Sequence, residues 1–176
     1  MEPLPEFKYH PDPVKTGAIG KSEAVCQCCG RARGYIYTRT IYAEDEIEHI
    51  CPWCIASGDA AEKFNGDFVD AHPLAQAGLS EEIIKEVSRR TPAYESWQQE
   101  SWLACCDDAC EFHGDATKNE LLALIQDELV SLAKEVGFTF EVLSDVITHY
   151  EPKGSPAFYK FVCRDCGKVK YHCDFH

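Results

Sequence analysis

With 176 residues, 45% of them hydrophobic, the chain is long enough to bury a core of its own and is not a miniature held together by metal alone. Thirty acidic residues against 17 basic ones leave a net charge of −13. That balance opposes a primary role in gripping nucleic acid, which needs a basic face against the phosphates.

Taken in chain order, Pro3, Pro5, Pro11 and Pro13 predict an extended opening laid over the core. Val25-Cys26-Gln27-Cys28-Cys29-Gly30 follows, a C-x2-C knuckle with a glycine placed to let the backbone turn. Tyr35 to Thr38 and Thr40 to Tyr42 are rich in aromatic and β-branched residues and predict a hairpin. Next comes Cys51-Pro52-Trp53-Cys54, a second knuckle 21 residues after the first, then a short helix over 55–64. Residues 65–78 read as a connection. Ser80 is placed to cap a helix running to Arg90, with Glu81 and Glu82 in its first turn. Beyond Thr91-Pro92 a second helical stretch is predicted from Ala93 to about Cys110.

Thr117-Lys118-Asn119-Glu120 is a capping-box pattern and Gly137 a stop. Between them Leu121, Leu124, Ile125, Leu129, Leu132 and Val136 recur at helical spacing, which predicts one continuous helix. Periodicity leaves residues 140–149 open between helix and strand. Phe158 to Val162 and Val169 to Tyr171 predict strands flanking Cys163-Arg164-Asp165-Cys166-Gly167. The expected fold class is α+β, stabilised by zinc. Residues 1–176 form one compact unit, with a treble-clef or zinc-ribbon-like module over 22–70 and a helical part over 79–176 that ends in a hairpin knuckle.

Eleven cysteines, an odd number, favour metal over a disulfide framework. A knuckle two residues wide aims both thiolates at one point but cannot fill a tetrahedral shell, so another pair must return to it. Cys26, Cys29, Cys51 and Cys54 form the first expected site. On the predicted helix Cys106 and Cys110 share a face, and with Cys163 and Cys166 they form the second. Two structural Zn2+ ions are expected. Cys28, Cys105, His113, His172 and Cys173 are alternative ligands. Cys51-Pro52-Trp53-Cys54 also admits a thiol-redox reading, since a helix N-terminus lowers the first thiol of such a pair. Asp107, Asp108 and Glu111 admit a hard-cation reading, and so do Asp70 and His72; both patterns are ordinarily solvated. No catalytic constellation is visible, so the expectation is a protein that is not an enzyme.

Charge is uneven. Residues 105–151 hold eleven acids and two bases, a net of −9, and residues 152–176 hold five bases and two acids, a net of +3. The acidic stretch predicts a docking face for a basic protein partner such as a nuclease toxin. The basic tail, Lys153, Lys160, Arg164, Lys168 and Lys170, is the weaker basis for a regulatory zinc protein touching nucleic acid. No apolar run approaches the ~18 residues needed to cross a bilayer. The opening Met1 to Glu6 has neither a basic nor an apolar signal region, so the expected location is the cytoplasm.

Five stretches stand in order along the chain: Tyr9-His10-Pro11-Asp12-Pro13, Arg33-Gly34-Tyr35-Ile36-Tyr37, Ile50-Cys51-Pro52-Trp53-Cys54-Ile55-Ala56, Trp97-Gln98-Gln99-Glu100 and Cys106-Asp107-Asp108-x-Cys110-x-Phe112-x-Gly114. Taken together they resemble the CbrC-like family, which carries the label colicin E2 tolerance protein. The resemblance implies a bacterial cytoplasmic protein concerned with toxin tolerance or immunity, with no catalytic residues to carry over. Its pattern has histidine where this chain has Cys105, which leaves Cys105 open as an added thiol, a substituted ligand or a bystander.

Overall fold

The computed structural model describes residues 2–175; positions 1 and 176, the ends of the expected single unit, lie outside the described residues. The proline-rich opening runs over the core and buries Phe7, Tyr9 and His10. His10 meets Phe112 edge-on, with ring centroids 5.0 Å apart. Its Nδ1 donates to the Pro92 carbonyl at 2.7 Å, so Nε2 is left to accept from Thr16 at 2.7 Å. Burial pushes this imidazole down to about 4, so it stays neutral at pH 7.

Strand β1 (Ile19–Lys21) pairs antiparallel with β2 (Tyr35–Tyr37), and Tyr42 bridges to Asp67 instead of folding back on β2. The predicted hairpin therefore does not form. Only Arg39 would have joined its strands, and even a two-residue loop needs backbone angles that favour glycine or asparagine. After the second knuckle, α1 (Pro52–Ser57) and α2 (Asp59–Phe64) are separated by Gly58 at φ 85°. A short helix α3 (His72–Gln76) interrupts the region read as a connection. Helix α4 (Glu81–Arg90) starts as expected, with Ser80 Oγ accepting from the Ile83 N–H.

The stretch from Ala93 to Cys110 is not helical. It runs in extended form, burying Tyr94 and Trp102, and ends in the small hairpin of β3 (Ala104–Cys105) and β4 (Asp108–Ala109). Tertiary partners explain why. Tyr94 stacks on Phe112 at 4.4 Å, and Trp102 Nε1 donates to the Cys110 carbonyl at 2.9 Å. Buried Glu100 accepts from the Tyr42 hydroxyl at 2.8 Å and the Asp70 N–H at 3.0 Å.

Strand β5 (Glu111–Asp115) is followed by three helices, α5 (Lys118–Leu122), α6 (Gln126–Val136) and α7 (Phe140–His149). The single helix expected from Thr117 to Gly137 is thus two. Glu120 completes the capping box at Thr117, while Glu128 caps the backbone N–H of Ile125 and starts a second helix. Strands β6 (Ala157–Val162) and β7 (Val169–Asp174) form the C-terminal hairpin, and the sheet order is β5-β6-β7. This sheet divides two cores. Ala157, Tyr159 and Phe161 of β6 face the larger one, with Tyr9, Ile55, Phe68 and Trp102. Phe158, one residue out of phase, faces the smaller one, with Leu121, Leu132, Leu143 and Ile147.

Candidate metal centres

The first and last knuckles share one local geometry. Cys26 N–H donates to the Arg31 carbonyl at 3.0 Å and Gly30 N–H to the Cys26 carbonyl at 2.8 Å. Cys163 N–H donates to Lys168 at 2.9 Å and Gly167 N–H to Cys163 at 3.0 Å. Gly30 and Gly167 stand at φ 69° and 70°, a conformation that costs other residues roughly 1 kcal/mol or more. Sequence spacing and glycine placement dictate this unit locally.

The first knuckle is completed by Cys51 and Cys54 at the start of α1, with Pro52 as the first helical residue. Gln27 ties the halves together, its side-chain oxygen accepting from the N–H groups of Glu48 and His49, each at 2.8 Å. The Sγ atoms of Cys26 and Cys54 lie 3.9 Å apart, those of Cys29 and Cys51 3.9 Å, and those of Cys51 and Cys54 3.5 Å. A tetrahedron of thiolates about 2.3 Å from a zinc ion has edges of about 3.8 Å, whereas a disulfide needs about 2.05 Å. The donor set and spacing fit zinc.

Cys26, Cys51 and Cys54 are buried in the larger core, and Cys29 turns towards solvent. Burial resists ionisation of Cys26, but N–H groups of Cys29, Cys51 and Cys28 together hold it down at about 7. Lys63 donates to the carbonyls of Gln27 at 2.8 Å and Cys28 at 2.9 Å, placing a cation beside the group. Arg33 stacks over Trp53 at 4.2 Å. Cys28 lies beside Cys54, outside the set of four.

The second group is Cys105, Cys106, Cys163 and Cys166. Its composition corrects the expectation at one position: Cys105 is present and Cys110 is not. Without a helix over 93–110, Cys106 and Cys110 share no face. Cys106 and Asp107 instead form the two-residue turn between β3 and β4, at φ 54° and 57°, which brings the adjacent thiols of Cys105 and Cys106 to one point. Cys110 turns into the larger core, where burial pushes its thiol up to about 12. Sγ of Cys105 lies 3.7 Å from Cys106 and 3.9 Å from Cys166, edge lengths that suit a zinc tetrahedron, and all four sulfurs lie within 4.8 Å of one another. The backbone N–H of Cys166 lowers Cys163 to about 7.

This second group sits at the rim, with Cys106 and Cys166 exposed. Lys170 donates to the Ala104 carbonyl at 3.0 Å, and Arg164 reaches Asp108 and Glu111 at 3.3 Å each, binding the last hairpin to the strained turn. Those ion pairs occupy the acids read as a cation site, and Asp108 also accepts from the Tyr9 hydroxyl at 2.5 Å. Among the alternative ligands, His113 pairs with Glu111, His172 stacks on Tyr159, and Cys173 packs against the smaller core. Asp70 caps the start of α3 through the His72 N–H at 2.9 Å.

A family model described as an uncharacterised protein family, UPF0167, matches residues 4–175. The chain belongs to the UPF0167 family. UPF0167 protein PA1536 of Pseudomonas aeruginosa is 45% identical over 175 residues, covering 98% of each chain. UPF0167 protein Mb2317 of Mycobacterium bovis and UPF0167 protein MT2352 of Mycobacterium tuberculosis are each 40% identical over 176 residues, covering 98% of this chain and 94% of theirs. No solved structure matches. These matches correct the resemblance to the CbrC-like family: the family model and the named relatives carry the UPF0167 description, with no colicin or tolerance name among them. Within this UPF0167 chain, two four-cysteine groups are able to hold metal ions.

Proposed function

We propose that this UPF0167 protein is a non-enzymatic zinc protein whose two centres are structural and whose acidic helical face docks a basic protein partner. The observation that carries the reading is the pair of complete four-thiolate sets. Four protein ligands close a tetrahedral shell and leave no position for substrate or water. The order knuckle, strand, knuckle, helix supports a treble-clef-like description of the first module. Thiol-redox use of Cys51 has less support, since burial raises this thiol where an activated one is lowered.

The docking half rests on where charge is free. Asp108, Glu111 and Glu120 are paired with Arg164 and Lys160, whereas Asp127, Glu135 and Glu141 on α6 and α7 are exposed with no ion pair among the described residues, and exposed Asp145 meets only His149, at 3.7 Å. Acids in that position steer a cationic partner and raise its association rate. The same ion pairs take Lys160 and Arg164 out of the basic tail, which leaves little for a nucleic-acid reading. A nuclease toxin as the partner loses its support with the corrected family. No helix among the described residues is long and apolar enough to cross a membrane. Cysteines held as thiols or metal ligands, with no disulfide among the described residues, support a reducing compartment such as the cytoplasm.

Elemental analysis of protein purified without added metal, with a count of reactive thiols, tests the first half. Two zinc ions per chain and three free thiols are expected; no zinc with a Cys51–Cys54 disulfide overturns it. For the second half, poly-L-lysine serves as a cationic probe. Changing Asp127, Glu135, Glu141 and Asp145 to lysine should weaken its binding at least tenfold at low salt, and equal binding removes the docking face.

A further inference from the structure

We propose that the docking site is the outer edge of β7 and the groove beside α6, taking an extended basic segment of the partner as a fourth strand of the sheet. This rests on the docking reading above and gives it a place and a geometry.

The hydrogen-bond phase of the hairpin decides which groups are free. In an antiparallel pair, facing residues alternate between those that exchange backbone bonds and those that do not. Cys163 N–H donates to the Lys168 carbonyl at 2.9 Å, so this pair bonds, and by register so do Phe161 with Lys170 and Tyr159 with His172. The intervening Val169, Tyr171 and Cys173 turn their N–H and C=O groups away from β6. β7 is last in the sheet order, and among the described residues no backbone or side-chain group bonds to those outward atoms. Such a row is a template for another chain.

The same three residues carry their side chains on the helical face, where Tyr171 and Cys173 pack against the smaller core. A cavity of about 330 Å³ lies between this edge and α6, floored by Leu124, Leu132 and Tyr171 and walled by Asp127, Ser131 and Glu135. Residues four apart on a helix share one stripe, so the two wall carboxylates stand eight residues and about 12 Å apart. On a strand, side chains four residues apart lie on one face about 13 Å apart. The fitting occupant therefore has lysine or arginine at positions i and i+4 with an apolar residue between them at i+2. Lys168 and Lys170 also border the cavity, but by strand alternation their side chains leave on the other face, where the Ala104 carbonyl holds the Lys170 ammonium.

The probe is the amidated peptide Thr-Lys-Thr-Val-Thr-Lys-Thr, with Thr-Lys-Thr-Val-Lys-Thr-Thr as a control that sends its lysines to opposite faces. Both are added to the metal-loaded protein at low salt, and amide exchange is read by NMR. In the free protein the amides of Val169, Tyr171 and Cys173 should exchange faster than those of Lys170 and His172. Adding the first peptide should protect the outward amides at least tenfold, and the control should bind at least fivefold more weakly. Val169→Pro removes one outward N–H at a strand's first residue, where proline is tolerated, and should weaken the peptide tenfold while leaving poly-L-lysine binding intact. Asp127→Asn with Glu135→Gln, which touches no backbone, should weaken both probes.

Peptide binding without protection of the outward amides, or equal binding of the two peptides, overturns the edge site. Outward amides already protected in dilute protein would mean that a second copy covers the edge, which also overturns it. Failure of the peptide with persistent poly-L-lysine binding rejects the edge alone; failure of both rejects the docking reading.

Discussion

The two thiol groups use the same knuckle and differ in what completes it. At Cys26 and Cys29 the return pair comes from a helix start inside the larger core, and three of the four sulfurs are buried. At Cys163 and Cys166 it comes from a strained two-residue turn at the surface, with two sulfurs exposed. The knuckle is thus a local unit, while the tertiary setting decides what a bound ion would hold. An ion in the first group would anchor a core; one in the second would fasten a hairpin to the turn that faces it. Strain at Cys106 and Asp107, of order 1–3 kcal/mol per residue, persists only where the surroundings over-determine it, and a bound ion would do so.

The comparison breaks most severely at the buried centre. Structural zinc contributes of order 10 kcal/mol to the folding of small sites, so Cys54→Ser should abolish the native near-ultraviolet circular dichroism and leave at most one zinc per chain. A folded two-zinc variant would erase the distinction. Cys106→Ser should be milder: one zinc is lost, α1 and α4 keep their amide protection, and only the hairpin around Cys163 exchanges faster. In wild-type protein a chromophoric chelator should likewise remove one equivalent of zinc at least tenfold faster than the other.

The ligand assignment sharpens with a matched pair. Cys105→Ala should lower zinc from two to one, whereas Cys110→Ala should keep two and cost about 1–2 kcal/mol of packing in denaturant unfolding. The reverse result would restore the pairing of Cys106 with Cys110. The smallest effect belongs to His10, far from either centre in sequence but buried in the larger core. Its folded-state value of about 4 lies below the ordinary 6.5, so its neutral form is the folded one. Stability from this group is present above about pH 6.5 and lost as pH falls towards 4, at up to ~1.4 kcal/mol per pH unit. His10→Gln should flatten that slope between pH 6.5 and 5.5 in denaturant titrations.

What the sequence disclosed follows the range of the interactions. The knuckles were legible because two cysteines, a gap and a glycine settle them within six residues. Helix α4 and the capping box at Thr117 were legible for the same reason, their signals lying within one turn. The missed elements depend on distant partners. Tyr35 to Tyr37 pairs with Ile19 to Lys21, and no local pattern names that strand. Residues 93–110 carry helix-compatible spacing, but Tyr94, Glu100 and Trp102 find partners across the core that an isolated helix could not offer. The swap of Cys105 for Cys110 follows from that single error. Its available signal was the adjacent pair Cys105-Cys106 followed by two aspartates, a residue type that tolerates positive φ in a tight turn.

Strand β6 has a genetic consequence. Its odd positions Ala157, Tyr159 and Phe161 serve the larger core, while on the other face Phe158 serves the smaller core and Lys160 pairs with Glu120, so conservative replacements are absorbed one side at a time. A one-codon insertion or deletion between Ala157 and Val162 has no such refuge, because the residues beyond it would exchange faces and send Lys160 into an apolar interior. In this protein that six-residue segment should tolerate spelling changes and refuse a shift in length.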